Sequence, residues 1–153
     1  MINNNFVFEL PFSLDLAAIR LVALKSTSNN SLPFFQRSVN DYDLLVDMSK
    51  KFPVLGTRWN VYKFPAHQGL PIHTDGKRDA TLNIPIAGGE DSQTIFYNTP
   101  NEIKSYYDED RIFHVLEGSF EEQFKFTLTK PTVIKTTVPH SVSVGKVPRI
   151  ILS

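Results

Sequence analysis

A chain of 153 residues, 41% hydrophobic and 21% charged, is long enough for one hydrophobic core and too apolar for disorder. Its 16 basic residues balance its 16 acidic ones, and no Lys/Arg run appears, so the electrostatic footprint of a nucleic-acid binder is missing. The longest apolar stretches run to about four residues, such as Leu21-Val22-Ala23-Leu24, which predicts no membrane span, and the absence of cysteine removes disulfides and thiolate metal sites. The opening Met1-Ile2-Asn3-Asn4-Asn5 lacks the basic and apolar regions of a secretory signal, and a cytoplasmic protein is expected.

Phe6 to Leu10 reads as a short strand. Ser13 is placed to cap a helix running to about Lys25, with Asp15 in its first turn. Polar residues from Ser26 to Ser31 end it. A second helix is expected over 41–52. Asn40 is its cap, Leu44, Leu45, Met48 and Phe52 form an apolar stripe, and Pro53 stops it. Asp41 and Asp43 near its start and Lys50 and Lys51 near its end suit the helix dipole.

From Arg58 the pattern changes to short strands. They are expected at 58–64, 70–75, 80–86, 93–98, 111–117, 122–129, 132–137, 139–144 and 149–152. Pro65, Gly76, Gly88-Gly89, Pro100, Gly118, Pro131 and Gly145 separate most of them. Residues 98–110, with acidic Asp108-Glu109-Asp110, read as a longer loop of the kind that borders sites. A single mainly β domain over 1–153 follows, with 1–57 as helical N-terminal support and 58–153 as the β core. Many short strands indicate a sandwich or barrel. About eight of them carrying metal-ligand residues suit a double-stranded β-helix, jelly-roll or cupin-like, with two flanking N-terminal helices.

The chemistry concentrates in His73-Thr74-Asp75. On a strand, positions i and i+2 project from one face, so an imidazole and a carboxylate stand side by side. One further imidazole, His140, completes a 2-His-1-carboxylate set, which binds one side of Fe(II) and leaves the other open. Gly145-Lys146 is a suitable two-residue type II′ turn. It predicts a hairpin with Val144 opposite Val147, Val142 opposite Arg149, and His140 opposite Ile151. His140 and Arg149 would then be diagonal neighbours about 7–8 Å apart. Arg149 lies among Val147, Ile150, Ile151 and Leu152. A guanidinium in an apolar strand implies a specific partner, and it grips a carboxylate through two parallel hydrogen bonds. Ser153 shares its face by the period of two. Thr81 and Asn83 share a face opposite Leu82, Ile84 and Ile86. Lys77 and Arg78 fall in a turn at a possible mouth, and His67 and His114 are not needed as ligands.

The set His73-Thr74-Asp75…His140…Arg149, with Tyr62 and Gly69 before it and Thr81-Leu82-Asn83 after it, resembles the Fe(II)- and 2-oxoglutarate-dependent dioxygenases from about Tyr62 to Ser153. The resemblance implies that His73, Asp75 and His140 hold Fe(II) and that 2-oxoglutarate is the cosubstrate, with ascorbate supporting turnover. Arg149 would bind the distal carboxylate, helped by Ser153 and the Tyr62 hydroxyl, and Asn83 would touch the metal-proximal end. It implies hydroxylation of a C–H bond with release of succinate and CO2, on a peptide side chain (as in prolyl, aspartyl and asparaginyl hydroxylases) or on a free small molecule. The chain departs from the family pattern where a hydroxyl residue often follows two positions after the basic one. Ile151 stands there, and the hydroxyl arrives only at Ser153. Two alternatives stay open: a cupin-like metalloprotein that does not use 2-oxoglutarate, and a non-catalytic β-sandwich that serves as a binding or structural module.

Overall fold

A computed structural model describes residues 4–10, 14–27, 35–38, 47, 50, 59–75, 78–100, 102–108 and 113–153. The elements in chain order are β1 (Val7–Glu9), α1 (Leu16–Thr27), β2 (Phe35–Ser38), β3 (Asn60–Phe64), β4 (Gly69–Thr74), β5 (Ala80–Ala87), β6 (Ser92–Tyr97), β7 (Lys104–Asp108), β8 (Phe113–Glu117), β9 (Glu122–Thr127), β10 (Thr132–Lys135), β11 (His140–Val144) and β12 (Arg149–Leu152). They form two six-stranded antiparallel sheets. The first has the order β1-β10-β5-β12-β3-β2 and the second β7-β8-β4-β11-β6-β9.

Alternation along the strands decides what each face of the first sheet covers. Val61, Leu82, Ile84, Ile86 and Leu152 point to its outer side, where they meet Trp59 and the Ile19 and Ala23 side chains of α1. Leu16, Ile19 and Ala23 recur at helical spacing, which gives α1 its apolar stripe. Complete burial of a side chain such as Ile84 contributes about 1.5–3 kcal/mol. Asp15 is the helix cap: its Oδ1 accepts the Ala18 N–H at 3.1 Å. The expectation of Asp15 inside the first turn is therefore corrected by one position, while the proposed cap Ser13 lies outside the described residues.

The opposite faces of the same strands turn toward the second sheet. Phe64, Ile134 and Ile151 from the first sheet join Phe96, Phe126 and Val144 from the second in one buried cluster. Phe96 stacks on Phe126 with ring centroids 6.2 Å apart, and the neighbouring Phe124 and Phe126 rings lie 6.1 Å apart. Chemistry-bearing residues at the same depth share this enclosed space.

Three expectations need correction. The hairpin between 139–144 and 149–152 does not form. β11 pairs with β4 and β6, whereas β12 pairs with β3 and β5, so residues 145–148 cross from one sheet to the other. The reason is a side chain distant in sequence. Asp91 Oδ2 accepts the backbone N–H groups of Lys146 and Val147, which a two-residue turn would leave to the ladder. A Cβ on Gly145 would fall 2.2 Å from the Asp91 carbonyl oxygen, so glycine is needed for this close approach and not for a type II′ turn. Second, the expected loop 98–110 contains β7. Its Lys104, Ser105, Tyr106 and Tyr107 are all exposed, so no alternation betrays the strand. Third, β2 was not foreseen. The expected helix 41–52 lies outside the described residues apart from Asp47 and Lys50, both helical. Among the described residues no helix is long and apolar enough to cross a membrane.

Candidate metal centre

His73 near the end of β4 is directly opposite His140 at the start of β11. Opposed residues share a face, and both imidazoles enter the space between the sheets, 2% and 6% exposed. Their ring centroids are 4.2 Å apart. The β4–β11 register shifts between His140 and Val142, a bulge of the kind that re-aims a side chain beside a site. Asp75 lies just past β4, two residues beyond His73. Its backbone N–H donates to the Thr136 carbonyl at 3.1 Å, which brings the carboxylate back over the imidazoles.

Both rings are held in the tautomer a metal requires. His73 Nδ1 lies 2.8 Å from the Pro71 carbonyl oxygen and His140 Nδ1 2.8 Å from that of Val138. A carbonyl only accepts, so each Nδ1 carries the proton and each Nε2 presents its lone pair. His73 Nε2 is 3.7 Å from Asp75 Oδ1. One ligand atom from each of His73, Asp75 and His140 lies within 4.8 Å of the others. First-row cations sit about 2.0–2.2 Å from such donors, so a modest inward rotation closes the set. Two neutral nitrogens and one carboxylate oxygen suit Fe(II) with open positions remaining. Phe113, 4.3 Å from His73 between ring centroids, and Phe96, 5.8 Å from His140, form apolar walls. Burial pushes His140 below the ordinary histidine range. The Arg149 charge adds to that, against the pull of Asp75 and the Val138 carbonyl.

Arg149 opens β12 on the facing sheet and is 1% exposed. Burial lowers its pKa to about 10, which still leaves it charged at neutral pH. Its Nη1 donates to Thr94 Oγ1 at 3.2 Å, and Nε is buried without a hydrogen-bond partner among the described residues. No described carboxylate forms an ion pair with it. A buried cation is costly unless a counter-charge accompanies it, and none is present among the described residues.

The remaining expected residues line the inner side of the first sheet. Asn83 is buried and its Oδ1 has no partner among the described residues. Ser153 is buried, and its hydroxyl bonds that of Thr81 at 3.1 Å. Tyr62 stacks on Phe64. Burial raises its pKa, against the opposing pull of the nearby Arg78 guanidinium. All seven expected site residues thus face the same interior, although the group that holds Arg149 is Thr94. His67 sits in a turn with φ of 60°, and His114 packs on Tyr107 outside the cluster. Thr94 and Phe113 were not expected to shape the site, and Arg78, expected only in a turn at its mouth, lies beside the Asp75 carboxylate. Thr94 has only the alternation Ser92, Thr94, Phe96 to mark its inward direction, and that signal does not name its partner.

No family model matches the chain, and no curated protein matches it either.

Proposed function

We propose that this protein is an Fe(II)- and 2-oxoglutarate-dependent hydroxylase on a double-stranded β-helix. Support for the jelly-roll reading comes from the interleaved strand order, with β5 beside β12 in one sheet and β4 beside β11 in the other. The observation that carries the function is the buried Arg149, without a counter-carboxylate among the described residues, on the sheet facing the His73–Asp75–His140 cluster. A divalent cation contributes two positive charges and Arg149 one, and Asp75 removes one. The two left over are what a dicarboxylate such as 2-oxoglutarate neutralises. A metal site that binds no anion would leave this arginine without a counter-charge among the described residues.

In this reading His73, Asp75 and His140 hold the metal. Arg149, fixed by Thr94, receives the distal carboxylate, and the Asn83 side-chain N–H and the Tyr62 and Ser153 hydroxyls supply further donors to the cosubstrate. Bound Fe(II) and 2-oxoglutarate supply oxidative decarboxylation to succinate and CO2, coupled to placing one oxygen atom of O2 on a substrate C–H bond. The chain contributes orientation through the paired Nδ1–carbonyl bonds and exclusion of water through Phe96 and Phe113. The acceptor is a peptide side chain or a small molecule.

The test is succinate release from 2-oxoglutarate with Fe(II) and ascorbate, without an acceptor. Slow uncoupled release that disappears in His73→Ala is expected. Release equal in wild type and His73→Ala would overturn the proposal.

A further inference from the structure

Arg78 sits between Asp75, which extends from the second sheet, and Thr81 of the first. The geometry points to Arg78 as the positioning residue for the Asp75 carboxylate, an inference that rests on the metal reading above. Arg78 Nη2 is 3.5 Å from Asp75 Oδ2, while Oδ1 is the oxygen aimed at His73 Nε2, 3.7 Å away. The two oxygens are thereby assigned, one to the arginine and one to the cluster.

Arg78 is itself held from several directions. Its Nη1 donates to Thr81 Oγ1 at 3.4 Å, Thr81 bonds Ser153, and its guanidinium lies close enough to Tyr62 to oppose the rise of that phenol's pKa. Its backbone N–H donates to the Asp75 carbonyl at 3.4 Å, and its own carbonyl accepts from the Thr136 hydroxyl. Thr136 is 1% exposed and also accepts the Asp75 N–H, so both residues are referenced to one buried point. Asp75 extends from the second sheet, whereas Tyr62 and Thr81 belong to the first. Arg78 therefore registers the carboxylate ligand against the sheet that carries Arg149.

Two effects of Arg78 on a bound cation oppose each other. Its charge repels the metal, and its hydrogen bond orients the ligand. The Arg78 side chain is 46% exposed, so water screens the repulsion, while orientation is not screened. Orientation wins, and losing Arg78 weakens metal binding. Removing an outer partner of a metal ligand typically costs about 10- to 100-fold in affinity.

The experiment is Co(II) titration of the whole protein, followed by visible absorption, for wild type, Arg78→Met and Arg78→Lys. Arg78→Met is expected to raise the Co(II) dissociation constant by about 10- to 100-fold. Its metal-free melting temperature should stay near wild type, and Arg78→Lys, which keeps a donor near Oδ2, should recover much of the loss. An unchanged Co(II) constant in Arg78→Met overturns this inference alone. A loss that lysine does not reduce, or that tracks a fall in metal-free melting temperature, also overturns it by showing a merely structural role. Failure of the wild type itself to bind Co(II) removes the metal reading and this inference together.

Discussion

Arg149 works against folding before any ligand arrives. An ammonium or guanidinium leaves water at a cost of several kcal/mol, and the usual remedy is a carboxylate alongside. Thr94 offers one hydroxyl instead. Replacing Arg149 by methionine, similar in length and without charge, should therefore leave ligand-free stability unchanged or raise it by up to ~2 kcal/mol in urea unfolding. The same variant should lose stabilisation by 2-oxoglutarate. A clear destabilisation of the ligand-free protein would show that the arginine already has its partner. His140 adds a pH dependence. Burial holds its folded pKa below the ordinary value, so below about pH 6.5 the unfolded chain binds a proton that the folded chain resists. The stability contribution is full above the unfolded pKa and declines as pH falls through that range toward the folded pKa. Urea midpoints measured at pH 7, 6 and 5 should fall in that order, and His140→Ala should flatten the trend. Both residues could be singled out from sequence, Arg149 as the one charge in an apolar strand. Thr94 could not, because a threonine in an alternating strand has no distinguishing feature until its neighbour is known.

Among the elements, the β4–β11 pair matters most because it carries both imidazoles. Its ladder is tightest at Gly69, where a Cβ would lie 1.9 Å from the Val142 carbonyl oxygen, beside the bulge that follows His140. Backbone cannot yield as a flexible side chain does. Gly69→Ala should cost about 1–3 kcal/mol in denaturant unfolding, and the displaced register should weaken metal binding as well. Wild-type stability in this variant would mean that the strands are not this close. Strands such as β5 were legible because Leu82, Ile84 and Ile86 alternate against Thr81 and Asn83. β7 was not, since an edge strand exposed on both faces has no alternation to read. The β11–β12 connection was misread because Gly145-Lys146 is consistent with a hairpin by local rules. The Asp91 carboxylate, 55 and 56 positions before the Lys146 and Val147 donors, captures both N–H groups, and no short-range pattern contains it.

At the scale of the whole molecule, the two sheets bring the cluster and the arginine to the same interior from opposite sides. Local turn rules put His140 and Arg149 on one hairpin, whereas they lie on strands of different sheets, and inward alternation on each strand brings them to the same interior. Periodicity thus determines which face a residue takes, while long-range pairing determines what it meets. An interior built for a metal and a dicarboxylate together should show it in the melting temperature under anaerobic conditions with Fe(II) alone, 2-oxoglutarate alone, and both. A ligand at 100 times its dissociation constant stabilises the native state by about 2.7 kcal/mol. The account predicts a combined shift larger than the sum of the separate ones, reduced to the metal-only shift in Arg149→Met and absent in His73→Ala. A combined shift no larger than that of Fe(II) alone, or one that survives in Arg149→Met, would contradict it.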